Sequence, residues 1–484
     1  MKEGYIKKED RKKILLLCDD IRMSSGISTM AREIVVGTAH HYNWVNIGGA
    51  ITHPEQGKRL DLSEDTNKQA GISDSSITLY PMSGYGTPEL IRQMMEIEKP
   101  DAIMFFTDPR YWVWLFQMEH EIRTKVPMIY LNIWDDLPYP MYNKSFYESC
   151  DTLLAISKQT ENINYSVLGK QAEGKLIKYV PHGINENIFY PIDSSNPEYL
   201  AVQEFKKQLF QGKEYDFVTI WNSRNIRRKS TPDVLLSWKM FIDELPKEKA
   251  KKTALILHTQ PVDENGTDLP AVYDMLFGNN EEGIYNIIWS HQRLAPNQMN
   301  WLYNCANIDV LISSNEGWGL SLTEAMMAGR PIIAGVTGGM QDQMRFEDEN
   351  GEWIKFTEEF GSNHRGKYKK CGEWAFPVFP SNISLVGSVP TPYIYDDRMD
   401  PQDVANQLRK AYDMGPEKLA KLGEAARKWV TSNESMMSAR LMSKNVIDGI
   451  DETFKMFKPR EKYNLIKVEI PTQPKHYVKH PIAK

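Results

Sequence analysis

The stretch "SSNEGWGLSLTEAMMAG", residues 313–329, sets Glu316 and Glu324 eight positions apart, the first in a glycine-broken loop and the second among strong helix formers. An ionised carboxylate accepts hydrogen bonds and donates none, and it can accept them in pairs. Two such groups bracketing a glycine turn therefore suit the hydroxyls of a sugar. The same placement suits a plainer duty, because a carboxylate in the first turns of a helix offsets N–H groups that have no partner inside it. The residues alone leave both readings open.

The elements that must hold these groups can be read from the pattern around them. "DVLISSNEG" has the apolar run of a strand, "GWG" of a turn and "LSLTEAMMA" of a helix, with Gly329 as its stop and "PIIAGV" as the next strand. Glu324 then falls in the first turns of that helix, at the cleft-facing end of the strand, where α/β proteins bind ligands. Similar units recur. "KKILLLCDD" (12–20), "DAIMFFTD" (101–108), "VPMIYLNIWDD" (126–136) and "DTLLAISKQT" (151–160) form a first series, and "YDFVTIWNS" (215–223), "TALILHTQ" (253–260), "YNIIWSHQ" (285–292), "NIDVLISSNEG" (307–317) and "RPIIAGVTGG" (330–339) a second. Helix-compatible stretches separate them, as a parallel sheet with covering helices requires. The reading is α/β: two Rossmann-like, doubly wound parallel-sheet domains facing across a cleft.

The expected boundaries are 1–190 for the first domain and 191–440 for the second, with the Pro-, Gly- and Asn-rich "KLIKYVPHGINENIFYPIDSSNPEYL" (175–200) as the connection. Residues 340–400 are less regular and read as an insertion in the second domain. Residues 441–484 read as a helix and a basic tail packing back toward the first. The tail from Lys455 carries eight Lys and Arg against two Glu.

Composition narrows the classes. A 484-residue chain with 12 Trp and 23 Tyr is globular and too long for one ordinary core. A formal charge of -6 gives no global reason to expect a polyanion partner. The four cysteines, Cys18, Cys150, Cys305 and Cys371, show neither Cys-x-x-Cys nor metal-ligand spacing, which fits a reducing compartment. No stretch of about 20 predominantly apolar residues is present, because the charge-free windows 34–54 and 374–395 are broken by polar residues, Gly and Pro, so no transmembrane segment is expected, and the expected location is the cytoplasm. His182, His258 and His291 stand near strand ends and read as structural.

With these residues placed, "EGWGLSLTEAMMAGRPIIAGVTGG" resembles the donor-binding motif of retaining GT-B glycosyltransferases of the family 4 type, the glycosyl transferases group 1. The resemblance implies that Glu324 binds the nucleotide ribose and Glu316 contacts the donor sugar, with Gly317, Gly319 and Leu320 in the loop between them. "NSRNIRRKS" (222–230) resembles the family's Gly-Arg-x4-Lys-Gly segment, with Arg224 and Lys229 as the cations and Ser223 and Ser230 in place of the glycines. Such cations suit a departing diphosphate, since one unit charge at about 4 Å is worth about 4 kcal/mol at an effective dielectric near 20. "VPHGINENIFYP" (180–191) resembles the segment that shapes the interdomain turn, and "VTGGMQDQ" (336–343) the Gly-Gly-x-x-Glu loop, with Gly338 and Gly339 toward the donor and Asp342 replacing Glu. "DDIRMSSGIST" corresponds to the turn beside the diphosphate, with Gly26 retained at a helix start.

The resemblance implies a metal-independent enzyme that needs no cofactor and takes a nucleotide diphosphate-sugar, with a uridine donor favoured. Asp-x-Asp, the chelating device of the other main glycosyltransferase fold, is absent from the sequence, as is Gly-x-Gly-x-x-Gly after a first strand. On the acceptor side, where the family often has a histidine, the chain offers Trp134, Asp135 and Asp136, and Asp135 is expected to face the acceptor. That acceptor is expected to be a glycan or small carbohydrate. A hydroxymethylated pyrimidine in DNA is an alternative, because Arg365 to Lys370, Trp374, Phe376 and the basic tail could grip phosphates and an extruded base. A nucleotide-sugar-binding protein without turnover is the alternative of another class.

Overall fold

The computed structural model describes residues 4–463. The first sheet has eight strands around Lys12–Asp19. On one side of it lie Tyr42–Gly49, Ile77–Pro81 and the short Leu60–Asp61, and on the other Ala102–Phe105, Met128–Asn132, Thr152–Ala155 and Leu176–Tyr179. All pairings are parallel except that of Leu60–Asp61 at the edge. The second sheet is wholly parallel and runs Ile287–Ser290, Thr253–His258, Phe217–Asn222, Ile308–Leu311, Ile332–Gly335, Ala375–Val378.

The residue pattern explains these strands. In Lys12–Asp19 every residue from Ile14 onward is buried, and Ala102–Phe105 and Met128–Asn132 are buried throughout, as strands covered by helices on both faces must be. The sequence pattern marks four strands of the first sheet and five of the second, but not the interior strands Tyr42–Gly49 and Ile77–Pro81, whose Asn, Gly and Thr interrupt the apolar run. It placed Leu176–Tyr179 in the connection, because that edge strand is only four residues long and merges with the Pro- and Gly-rich text after it. It also placed Ala375–Val378 in an insertion, whereas "AFPV" is the sixth strand of the second sheet. Residues 340–400 are thus part sheet and part addition. The additions are the irregular 345–374 and an antiparallel hairpin, Pro380–Ser388 with Thr391–Met399.

The last helix, Ala439–Met456, lies on the first sheet and not on the second. The Thr152 and Thr453 hydroxyls are 2.6 Å apart, Tyr42 donates to Asp451 at 2.6 Å, and Gly37 and Gly449 leave room for Ser443 and Leu154 respectively. The basic tail lies largely outside the described residues, which stop at Tyr463. No helix among the described residues is long and apolar enough to cross a membrane.

In the second domain the helix Pro416–Val430 crosses the end of Leu320–Met327 at two glycines, and a Cβ on Gly423 would collide with the Gly329 carbonyl oxygen. Gly423→Ala must therefore separate the helix that carries Glu324 from its support. We expect it to cost about 1–3 kcal/mol, the usual range for overpacking a close contact, read as an earlier urea midpoint by tryptophan fluorescence. An unchanged midpoint would show that the crossing yields freely.

Candidate functional site

The strand order of each sheet reverses direction once, between Lys12–Asp19 and Ala102–Phe105 in the first and between Phe217–Asn222 and Ile308–Leu311 in the second. Loops leave such a point in opposite directions and open a crevice. Here the two crevices face each other, and the space between them is a cleft of about 930 Å³ lined by both domains. Two helices begin at its walls. Gly26–Thr38 starts after Ser25, whose hydroxyl caps Ser28 N–H at 3.0 Å, and Leu320–Met327 starts after Gly319, which holds φ +85°. Their first turns meet across the cleft, with the position of a Cβ on Gly26 only 3.4 Å from Leu320 Cδ1. Two positive dipole ends thus share one space.

Glu316 lies between them. Its Oε2 accepts from Lys229 Nζ, from Arg228 at 3.1 Å and from the Ser313 hydroxyl at 3.2 Å. Burial by itself would raise this carboxyl, but Lys229 and then Arg228 overcome it and hold the group down at about 2. Burial pulls Lys229 below its ordinary value while Glu316 opposes the change. The loop that supplies both cations keeps the shape a glycine would favour, because Ser230 holds the left-handed conformation at φ +52°. Arg224, the cation expected from the sequence, also lines the cleft, but at its rim: its side chain is 63% exposed and paired with Asp263 at 2.7 Å. Arg228, four residues on, is the one that joins Lys229 at Glu316.

Glu324 lies deeper along the same wall. Its Oε2 accepts from the Tyr303 hydroxyl at 2.7 Å, and that hydroxyl accepts from Asn222 at 2.7 Å. Burial raises this carboxyl to about 7, with Tyr303 opposing. One oxygen is thus committed to Tyr303, while the residue still borders open space. Across the cleft the loop after Met128–Asn132 presents Trp134, Asp135 and Asp136. Its backbone is held by the helix Lys158–Leu168, with Thr160 donating to the Trp134 carbonyl at 2.8 Å and Gln159 to that of Asp135. Burial raises both carboxyls, and each is further affected by the charges around it, Asp135 by Arg228 and Glu316 and Asp136 chiefly by Asp135.

The cleft thus brings together Gly26, Asp135, Arg224, Lys229, Glu316, Gly317, Gly319, Leu320 and Glu324. Gly338 and Gly339 are not among its lining residues. They stand behind the loop, where a Cβ on either would strike the carbonyl oxygen of Glu316 or Gly317, and Gly339 N–H donates to the Glu316 carbonyl at 3.0 Å. Asp342 is also turned away. Its Oδ2 accepts from the Lys158 N–H at 2.9 Å and the Tyr179 hydroxyl at 3.0 Å, joining the second domain to the first. His182 is buried in the cleft floor, held neutral by burial at about 3.

Arg228, Tyr303 and the hairpin were not legible as site components. "RNIRRK" offers four cations and the fold decides which one faces inward, while Tyr303 sits in a helix, Pro296–Asn304, with nothing nearby to mark it. The residues behind the DNA reading are arranged differently from its requirement. Trp374 is stacked on Trp429 and Phe376 is in the second core, so neither faces outward, although Arg365 and Lys367 to Lys370 are mostly exposed. Among the described residues no group of three or more His, Cys, Asp or Glu side chains is arranged to hold a metal ion.

The Lys229–Glu316 pair is buried on both sides. Removing one partner strands a charge, at a cost of about 3–5 kcal/mol for a buried pair. We expect Glu316→Gln to lose more stability than Lys229→Met, because the first leaves two cations uncompensated and the second leaves Arg228 for Glu316. The double variant should recover part of the loss in a denaturation cycle. Additive losses would show that the pair does not interact.

The profile of the family described as glycosyl transferases group 1 matches residues 281–361. No curated protein sequence matches the chain at significance. Several solved structures share its fold. HepE of Anabaena, in complex with UDP and glucose, superposes with a TM-score of 0.61 at 13% identity, covering 91% of this chain and 100% of its own. Sucrose-phosphate synthase of Thermosynechococcus elongatus gives 0.62 at 13%, covering 92% and 100%. An α,α-trehalose-phosphate synthase (UDP-forming) of Burkholderia xenovorans, in complex with glucose-6-phosphate, gives 0.61 at 10%, covering 91% and 100%. The matched segment contains Glu316, Glu324 and the helix between the two crevices, and it sits on a two-domain fold followed over nine-tenths of the chain. By that segment the chain is similar to the group 1 glycosyl transferases, and its fold is the two-domain GT-B fold of these structures.

Proposed function

We propose that the protein is a retaining, metal-independent glycosyltransferase, acting in the cytoplasm, that moves a sugar from a nucleotide diphosphate-sugar to the hydroxyl of a small carbohydrate or glycan. The observation that carries this reading is the convergence of two helix N-termini, Lys229 and Arg228 on one point of the cleft. A diphosphate is the common small ligand whose charge needs all of them. Glu316 pairs with these cations. A donor diphosphate takes up part of their charge and leaves Glu316 facing the sugar. Glu324, one turn into the helix that follows the Glu316 loop, accepts from the ribose hydroxyls through the carboxylate oxygen not engaged by Tyr303. A uridine donor is favoured by the UDP held in the similar HepE structure.

In the reaction the bond from the sugar anomeric carbon to the β-phosphate oxygen breaks, and its electron pair leaves with the diphosphate. The acceptor oxygen bonds to the same carbon from the same face. Its proton passes to the departing phosphate, which serves as base, with Asp135 on the acceptor side of the cleft. Arg228, Lys229 and the helix N-termini supply the positive charge that a metal supplies in other sites.

The test is binding of UDP, GDP and ADP, each with and without Mg2+. We expect one nucleotide to bind without need of Mg2+, with affinity falling about tenfold or more in Arg228→Ala and Lys229→Met and less in Arg224→Ala, whose charge is held at the rim by Asp263. No binding by any nucleotide would refute the donor reading.

Glu324 supplies a pH signature. Its carboxyl is held up to about 7, so it loses its charge as the pH falls through that value. If only the ionised form accepts the ribose hydroxyls, UDP-glucose affinity should fall roughly tenfold one unit below that pKa. Glu324→Gln should bind more weakly at pH 8 and show no such slope. The sugar nucleotide is the right probe, since a terminal phosphate titrates near pH 6 itself.

A further inference from the structure

The hairpin Pro380–Ser388 and Thr391–Met399 lies beyond the matched family segment, which ends at residue 361. It leaves the second domain and spans the cleft. At its base Asp397 N–H donates to the Ser314 carbonyl at 2.9 Å, and Asp396 accepts from Asn315 at 2.9 Å, so it is fastened to the loop that presents Glu316. At mid-length Tyr395 N–H donates to the Leu137 carbonyl at 2.6 Å, and Tyr142 donates to the Tyr393 carbonyl at 2.9 Å. Tyr393 in turn donates to the Tyr139 carbonyl at 3.3 Å. These three partners follow Asp135 and Asp136 in the acceptor-side loop of the first domain. Near its tip Thr391 accepts from Arg110, which Asp108 also holds. Val386, Ser388, Thr391 and Ile394 line the cleft itself.

One element therefore touches the donor loop, the acceptor loop and the space between them. We propose that this hairpin is the acceptor-specificity element: it roofs the acceptor end of the cleft, excludes water from the sugar, and admits only a small or terminal hydroxyl-bearing unit. This inference rests on the donor reading above. Cleft size supports it. A volume of about 930 Å³ is near the upper end of the roughly 300–1,000 Å³ of small-molecule sites, room for a sugar nucleotide and one further small unit. Polarity supports it as well, since the hairpin brings short hydroxyl and aliphatic side chains to the cleft and spends its aromatic anchors on the opposite wall.

The test replaces residues 386–394 with Asn-Gly, a two-residue turn that closes the paired Leu385 and Tyr395 and keeps the base intact. Thr391→Val with Tyr393→Phe is a milder variant that retains the hairpin. The readouts are UDP-glucose hydrolysis, UDP affinity and amide exchange over residues 134–142. In hydrolysis, water oxygen replaces the phosphate oxygen at the anomeric carbon, and the proton goes to the departing diphosphate. We expect the shortened protein to hydrolyse UDP-glucose about fivefold faster or more, because water now reaches the sugar. UDP affinity should stay within about twofold, with faster exchange in 134–142 and intermediate effects in the milder variant. Unchanged hydrolysis, unchanged exchange, or a loss of UDP affinity matching any change in hydrolysis would overturn the proposal. Wild-type protein that binds neither UDP nor UDP-glucose would instead remove the donor reading beneath it, and the two failures are told apart by that one control.

Discussion

A parallel sheet sends every strand in the same direction, so its loops of one kind all gather at one edge. Two such sheets that share a cleft must turn those edges toward each other, and nearly everything else in this molecule follows from that requirement. It sets Asn222 to Lys229 beside Ser313 to Gly319 at the reversal of one sheet, and Ser24 to Gly26 beside Asp108 and Arg110 at the reversal of the other. It also brings two helix starts to one point, a placement that neither domain could achieve alone.

The electrostatics of the cleft are arranged around charge that is already compensated. Lys229 is a buried cation and Arg228 a partly exposed one beside it, and Glu316 pairs with both and holds them in position. Without that counter-ion the site would suffer the desolvation of Lys229 and the repulsion between the two cations. The carboxylate is therefore as necessary to the unliganded fold as it is to the chemistry proposed for it. Glu324 is treated differently. It has a neutral tyrosine for a partner and no cation, so burial raises it where Glu316 is lowered. Eight residues and one helix turn separate two carboxylates with opposite protonation behaviour.

Much of this was legible in the sequence, for definite reasons. Central strands buried on both faces write uninterrupted apolar runs, and "KKILLLCDD" and "DAIMFFTD" could be read as strands without the structure. The glycine loop and the helix after it declared themselves through "GWG" and Gly329. Short edge strands did not, because four residues such as "LIKY" or "AFPV" carry too little pattern to stand out from a loop. In the site, chain order identified the basic turn but not which of its cations faces inward, since a short helical turn, Arg227–Lys229, aims Arg228 and Lys229 at Glu316 while Arg224 is drawn off by Asp263, 39 residues away. Gly338 and Gly339, expected to face the donor, stand instead against the back of the Glu316 loop.

The final helix, Ala439–Met456, completes the first domain although almost the whole second domain is synthesised before it. Until it arrives, Tyr42, Thr152 and the groove at Gly37 lack the partner that covers them. The first 180 residues therefore leave the ribosome as a sheet with one face unfinished, and they must wait some 250 residues for the element that closes it. The chain crosses between domains twice, so the two halves are bound into one folding problem, and neither terminus can be trimmed past this helix without reopening the other end of the molecule.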